Sequence, residues 1–144
     1  MDRAALDAAM ACGLPVGGWC PKGRWAEDGP IDPRYPLRET PTAETAQRTT
    51  WNVRDSDATL VILIDPPVGG TSLTIEEARR LGKPWYLFDL SDGSHVKDVL
   101  IWLRAENVWV LNVAGPRESE TPGIYEDARA FLEKLFEQWK AAST

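Results

Sequence analysis

The run Gly69-Gly70-Thr71-Ser72 is the part of this sequence whose residue types most clearly suit binding chemistry. It follows an apolar segment and precedes a helical pattern, which predicts a turn between a strand and a helix. Small residues let backbone N–H groups approach an anion, and a helix N-terminus adds a favourable partial charge. The alternative is ordinary helix capping by Thr71 or Ser72, which would not need two preceding glycines. We therefore predict an anion site, although not a Walker motif, because the Gly-Lys-Ser/Thr ending is absent.

A second candidate is Gly115-Pro116-Arg117, which follows another predicted strand. The arginine suits a bidentate contact to a phosphate or another oxyanion. The alternative is a turn that carries a solvated arginine. Lys22 and Arg24 follow a third predicted strand and are further cationic candidates.

Residues suited to catalysis or metal binding are sparse. Cys12 and Cys20 are the two cysteines, and His95 is the single histidine. Their spacing matches no metal-ligand pattern, and His95 falls within a predicted helix. We therefore predict neither catalytic residues nor a metal site built from side chains.

Length and composition narrow the class of protein. The 144 residues predict one domain, residues 1–144, that is large enough to fold without disulfides or a structural metal. The net charge of −6 argues against general nucleic-acid binding. No apolar run approaches the roughly 20 residues of a membrane span, and no signal peptide is recognisable. We expect a soluble protein of the cytoplasm.

A repeated order of helix, stop signal and strand organises the chain. Glycine or asparagine just past a helix supplies a left-handed residue, and a following proline prevents continuation. An additional run at residues 58–64 is apolar on both faces, as in a strand covered by helices on each side. The three units comprise residues 4–12 with Gly13 and a strand at 16–19, residues 75–81 with Gly82 and a strand at 85–88, and residues 96–105 with Asn107 and a strand at 108–113.

The last helix has apolar residues at helical spacing from Ile124 to Trp139, with Thr121 as the expected N-cap and Pro122 in the first turn. Alternating strands and helices predict parallel pairing with right-handed crossovers. The expected fold is a three-layer, Rossmann-like, doubly wound α/β sheet, and its ligand should bind beyond the carboxyl ends of the strands.

Residues 20–41 interrupt this order with five prolines and no periodicity. Such a segment is either functional or a rigid cover packed through Trp25, Ile31, Tyr35 and Leu37, and the sequence leaves both readings open.

Several segments together resemble the molybdenum carrier family, in the expected order over nearly the whole chain. This family belongs to the SLOG group of Rossmann-like nucleotide-binding folds, which also includes the Lonely Guy phosphoribohydrolases. The matching segments are Asp2-Arg3-Ala4-Ala5-Leu6-Asp7, Gly17 to Arg24, Ala26-Glu27-Asp28-Gly29-Pro30, Tyr35-Pro36-Leu37, Gln47-Arg48-Thr49, Trp51 to Asp57, and Leu111 to Arg117.

The resemblance implies a carrier that binds molybdenum cofactor (molybdopterin), or a related phosphorylated ligand, at the carboxyl edge of the sheet. The expected contacts come from Gly69, Gly70, Thr71, Ser72, Gly115, Arg117 and Arg3. The alternatives are a nucleotide hydrolase of the phosphoribohydrolase type and a nucleotide sensor. The Lonely Guy motif Pro-Gly-Gly-x-Gly-Thr-x-x-Glu is not kept in residues 68–76, which argues against hydrolysis.

The start of the sequence departs from the resemblance. Family members carry a strand and a Gly-Gly-Gln-Thr-Gly-Val loop directly before Asp-Arg-Ala-Ala, and here Met1 stands at the place of that valine. We expect a domain that lacks its usual first strand, through a start codon assigned too late. The alternative is a shortened chain that completes its sheet from a partner copy. Separately, we expect a homo-oligomer, dimer or tetramer.

Overall fold

The computed structural model describes residues 1–24, 26, 29–64, 69–92 and 96–142. Of the residues named above, Trp25, Glu27, Asp28 and His95 lie outside this part of the chain. The elements in chain order are α1 (Asp2–Ala11), β1 (Trp19–Cys20), β2 (Arg38–Glu39), α2 (Thr45–Arg54), β3 (Ala58–Leu63), α3 (Gly69–Arg80), β4 (Trp85–Asp89), a 3₁₀ turn (Leu90–Asp92), α4 (Val96–Ala105), β5 (Leu111–Ala114) and α5 (Ile124–Ala142).

The central sheet is parallel, with the strand order β4-β3-β5. Leu60 in β3 lies opposite Tyr86 in β4 and Val113 in β5. A second parallel pair joins β1 to β2, with Trp19 opposite Arg38. Parallel strands linked through helices confirm the predicted Rossmann-like α/β class.

The middle strand β3 is buried on both faces, as its continuous apolar sequence predicts. Leu60 and Ile62 pack into a core shared with α1, α4 and α5, which includes Leu103 and Leu132. The alternate side chains Val61 and Leu63 pack with Ile75 of α3. Helices therefore cover the sheet on two sides, and the molecule has three layers.

Three predicted stop signals are confirmed. Gly13, Gly82 and Asn107 have φ values of +73°, +66° and +52°, the left-handed conformation that ends a helix.

Two predicted helix boundaries are wrong. Helix α3 begins at Gly69, six residues before its expected start, so the Gly-Gly-Thr-Ser run forms the first turn itself. Helix α5 begins at Ile124, and Thr121 is not its N-cap, because the Thr121 carbonyl accepts from the Ile124 N–H within the preceding turn.

Strand β5 is also shorter than predicted. It starts at Leu111, because the Asp57 carboxylate accepts from the N–H groups of Trp109 and Val110 at 2.9 and 2.8 Å and holds them in a turn. Strand β1 has two residues, Trp19 and Cys20, where four were expected at residues 16–19.

The described residues of segment 20–41 pack as a cover. The Arg24 guanidinium donates to the carbonyl oxygens of Ile31, Asp32, Tyr35 and Leu37 at 2.9–3.1 Å. The Tyr35 side chain is buried at 1% exposure. These contacts favour the interpretation of this segment as a rigid cover. The Arg24 guanidinium binds carbonyl groups within the segment instead of facing the predicted site.

Candidate ligand-binding site

Gly115 marks the point where three elements meet. A Cβ atom at this position would lie 2.3 Å from the Ile62 carbonyl oxygen at the end of β3, and 2.6 Å from the Met1 side chain. The Met1 ammonium group donates to the Pro116 carbonyl oxygen at 3.4 Å. The start of α1 therefore packs against the carboxyl ends of β3 and β5, and only glycine fits between them.

The first turn of α3 carries the predicted anion-binding run. An α-helix leaves its first four N–H groups without an intrahelical acceptor, and those of Gly69, Gly70 and Thr71 are among them here. Gly70 is exposed, and the space that a Cβ would fill is open. A ligand oxygen can therefore approach this part of the backbone closely.

The hydroxyl groups of this turn differ in their surroundings. Thr71 is 6% exposed and Ser72 is half-buried, so both lie against the protein. The Thr74 hydroxyl donates to the Gly70 carbonyl oxygen at 2.9 Å, which stabilises the turn. Thr74 is therefore engaged with the helix backbone.

Arg117 follows β5 and is 57% exposed, but its guanidinium is paired. Its Nε donates to Glu120 Oε1 at 3.3 Å, and its backbone N–H donates to the same oxygen at 3.0 Å. The backbone N–H of Arg117 is the main cause of the lowered pKa of Glu120, with smaller contributions from the guanidinium and the chain's ammonium group. An anionic ligand at Arg117 would have to compete with Glu120.

Two other carboxylates near the strand ends accept hydrogen bonds from residues close to them in sequence. Glu118 accepts from the N–H groups of Gly123 and Tyr125, so a carboxylate already lies at the start of α5. Asp89 accepts from the N–H and the hydroxyl of Ser91, which lowers the pKa of Asp89. Sequence reasoning missed the role of Glu118, although an acidic residue shortly before a helix is a recognisable signal.

The first turn of α1 contributes Arg3, which is exposed. Asp2, its neighbour, pairs with Arg48 of α2 at 2.8 Å and so fixes the start of α1 to the opposite helix layer. The predicted site residues therefore lie on segments that start or end at the carboxyl edge of the sheet. They are the first turn of α3, the residues after β5, and Arg3 in the first turn of α1.

A partly buried polar cluster around Asp7 was not predicted. Asp7 of α1 accepts from the hydroxyls of Tyr35, at 2.7 Å, and Tyr125. Arg34 and Arg129 lie 3.8 and 3.9 Å from the same carboxylate. The cluster ties the 20–41 cover to α1 and α5. An acidic residue on the alanine-rich α1 is the one signal that could have indicated it.

Among the described residues, no group of three or more His, Cys, Asp or Glu side chains is arranged to hold a metal ion. Within the same ranges, no helix is long and apolar enough to cross a membrane.

Comparisons with known proteins cover most of the chain. A sequence model of the circularly permutated YpsA SLOG family matches residues 1–136. The crystal structure of a "Putative molybdenum carrier protein" from Syntrophus aciditrophicus is similar, with a TM-score of 0.86 and 41% identity over 94% of this chain and 87% of that chain. A search of curated proteins gave no match. The family match covers far more than half of the chain, so this protein belongs to the circularly permutated YpsA SLOG family.

Proposed function

We propose that this protein carries or stores molybdenum cofactor, or a closely related phosphorylated ligand, at the carboxyl edge of its sheet. The observation that carries the proposal is the first turn of α3, where Gly70 is exposed and no atom lies within 4 Å of the position that its Cβ would take. The name of the Syntrophus structure supports a molybdenum-related ligand.

The residues present fit a phosphate group. The N–H groups of Gly69, Gly70 and Thr71 would hold its oxygens, and the hydroxyl of Ser72 lies in the same turn. The cofactor itself supplies the pterin and the oxo-metal group. Molybdenum therefore needs no protein ligand in this proposal.

Two arginines would contribute positive charge. Arg117 would exchange its contact with Glu120 for the ligand, and Gly115 keeps the backbone beside it close to β3 and α1. Arg3 would approach from the first turn of α1. Because Arg117 is exposed and already paired, we expect its contribution to be smaller than that of the α3 turn.

We also propose a homo-oligomer, dimer or tetramer, that acts in the cytoplasm. Trp109 and Ile101 are 82% and 56% exposed, so both large apolar side chains are available for a contact between copies. Light scattering during size-exclusion chromatography tests this part. A monomer at cellular concentrations would contradict it.

Co-purification tests the ligand. The protein is produced in cells that make molybdenum cofactor, and molybdenum is measured by elemental analysis alongside the fluorescence of released, oxidised pterin. We expect both in the wild type. Gly70→Val should reduce both about tenfold or more, which corresponds to about 1.4 kcal/mol of binding free energy, because its side chain enters the open space above the helix turn.

The matched control is Glu76→Val, which places the same side chain at an exposed position farther along α3. It should retain the ligand. Wild-type protein without molybdenum or pterin would contradict the proposal, as would equal loading of the two variants. A nucleotide released in place of pterin would refute the cofactor as ligand.

A further inference from the structure

Strand β4 has an outer edge that no described residue of this chain pairs with. Within the described part of the chain, β4 pairs only with β3. The Thr59 N–H of β3 donates to the Pro84 carbonyl oxygen at 3.0 Å, and the backbone groups of successive residues in a strand alternate between its two edges. Tyr86 therefore faces β3 as Pro84 does, whereas Trp85 and Leu87 direct their N–H and C=O groups away from it. Outward groups of this kind can pair with a further strand.

The sequence of this edge lacks the features that usually prevent such pairing. Proline, lysine and other charges on an edge strand discourage the approach of a second chain. The run Trp85-Tyr86-Leu87-Phe88 contains no proline and no charge. Its aromatic side chains are of a type that is enriched in paired strands. The sequence of β4 is therefore suited to a partner on each edge.

One face of the same edge is also uncovered. The Tyr86 ring lies 5.3 Å from the Trp102 ring of α4, so the alternate side chains of Trp85 and Leu87 lie on the opposite face, that of α3. Helix α3 packs mainly on β3 and α2. Leu87 is consequently 45% exposed, and a large apolar side chain lies beside the unpaired backbone groups.

Opposite charges lie at the two ends of β4 on this face. At the start of the strand, the guanidinium carbon of Arg79 lies 5.2 Å from the centre of the Trp85 ring. At its end lies Asp89, two residues after Leu87 and therefore on the same face. A two-fold axis at Leu87 makes a second copy of β4 antiparallel to the first and places the partner's Asp89 opposite Trp85, beside Arg79. The edge is therefore complementary to itself in both charge and length.

We infer that β4 is the contact surface for a second copy of this chain, which pairs with it as an antiparallel strand about a two-fold axis at Leu87. In this dimer the two copies of Leu87 exchange both N–H···O=C bonds, with their Cα atoms about 5.5 Å apart. Their side chains cover each other, and the central sheet continues from one copy into the next. The inference rests on the homo-oligomer of the proposed function and names the surface that forms it.

The antiparallel arrangement keeps the two candidate ligand sites apart. Because the paired strands run in opposite directions, the carboxyl edges of the two copies face in opposite directions as well. Each copy therefore keeps its own first turn of α3 as a separate site. We expect a variant that loses the dimer to retain its ligand.

Sedimentation velocity over a range of protein concentrations tests the surface with two matched variants of the full chain. Leu87→Lys places two like charges opposite each other at the two-fold axis and should raise the Kd of the dimer about 100-fold or more. Ile101→Lys makes the same change on α4, at a side chain that is 56% exposed, and should leave the dimer as stable as that of the wild type. Both positions are exposed, and thermal unfolding shows whether each variant is folded.

Charge exchange tests how the two strands are aligned. Arg79→Glu and Asp89→Arg should each raise the Kd about tenfold, because the two-fold axis repeats each like-charge pair. The double variant restores unlike charges across the contact and should return the Kd to about the wild-type value. A loss that came only from the altered surroundings of either residue within one copy would not be recovered in this way.

A monomeric wild type would overturn this inference and the proposed homo-oligomer together, and would leave the ligand untouched. A dimer or tetramer that survives Leu87→Lys, or that dissociates only with Ile101→Lys, would overturn this inference alone. A double charge variant that dimerises no better than either single variant would overturn the alignment at Leu87. Molybdenum and pterin are measured in the same samples, and a wild-type dimer without them contradicts the proposed ligand but not the contact surface.

Discussion

Replacing Gly115 with alanine tests whether the carboxyl edge is packed as tightly as the structure indicates. The added Cβ would lie 2.3 Å from the Ile62 carbonyl oxygen, whereas ordinary contacts begin at 3.4 Å. The Met1 side chain, at 2.6 Å, can move aside, but the Ile62 oxygen belongs to the backbone of β3. The ends of β3 and β5 must therefore separate by about 1 Å, and overpacking of this kind costs about 1–3 kcal/mol.

Thermal unfolding measures this cost. For a chain of this length, 1 kcal/mol corresponds to about 4 °C, so Gly115→Ala should lower the Tm by about 4–12 °C. Gly70→Ala is the matched control, because its Cβ would meet no atom within 4 Å and alanine suits a helix better than glycine. Its Tm should stay the same or rise slightly. If Gly115→Ala unfolds at the wild-type temperature, the three elements do not converge as described.

Three further predictions concern the cover and the surface pairs. Arg24→Lys should lower the free energy of unfolding by about 2–3 kcal/mol in urea titrations, because an ammonium group cannot reach the four carbonyls that the guanidinium contacts. The control Lys22→Ala, at an exposed position, should change the free energy of unfolding by no more than about 0.5 kcal/mol. Asp7→Ala should cost about 1–3 kcal/mol in the same assay, since it leaves the hydroxyl of Tyr125 without its acceptor, and an unchanged urea midpoint would contradict this. Hydrogen bonds from Arg54 and, more weakly, from Trp19 lower the pKa of Asp55 to about 2. The contribution of Asp55 to folding stability is therefore present above its unfolded-state pKa and is lost as the pH falls from about 4 to 2. Because Arg54 and Asp55 are 46% and 41% exposed, we expect this loss of stability to be about 1 kcal/mol or less, and we expect Asp55→Asn to abolish it.

Features of the fold that depend on neighbouring residues were predictable from the sequence. The apolar run of β3 indicates a strand buried on both faces, and Gly82 and Asn107 indicate helix ends, because each signal lies within a few residues of its effect. Element boundaries were less predictable. The start of β5 at Leu111 depends on the Asp57 carboxylate, which lies more than 50 residues away in sequence.

The candidate site shows the same limit. Glycines at 69 and 70 can be recognised as an anion-binding run from local sequence, and that role stays a prediction. The need for glycine at 115 comes from Ile62 and Met1, which reach it only through the fold. The commitment of Arg24 to four carbonyls of the cover is likewise invisible in the sequence, where the residue reads as a free cation near the site.

Amide chemical shifts measured by NMR during ligand titration test the central claim most directly. The ligands are inorganic phosphate and an oxidised phosphopterin, added to the wild type and to Gly70→Val. We predict saturable shifts of the Gly69, Gly70 and Thr71 amides, stronger with the phosphopterin and lost in the variant. Shifts confined to residues 16–19 and 109–113, which line a cavity of about 1070 Å³ between β1 and β5, or no saturable shift in the first turn of α3, would contradict the claim that the carboxyl edge binds the ligand.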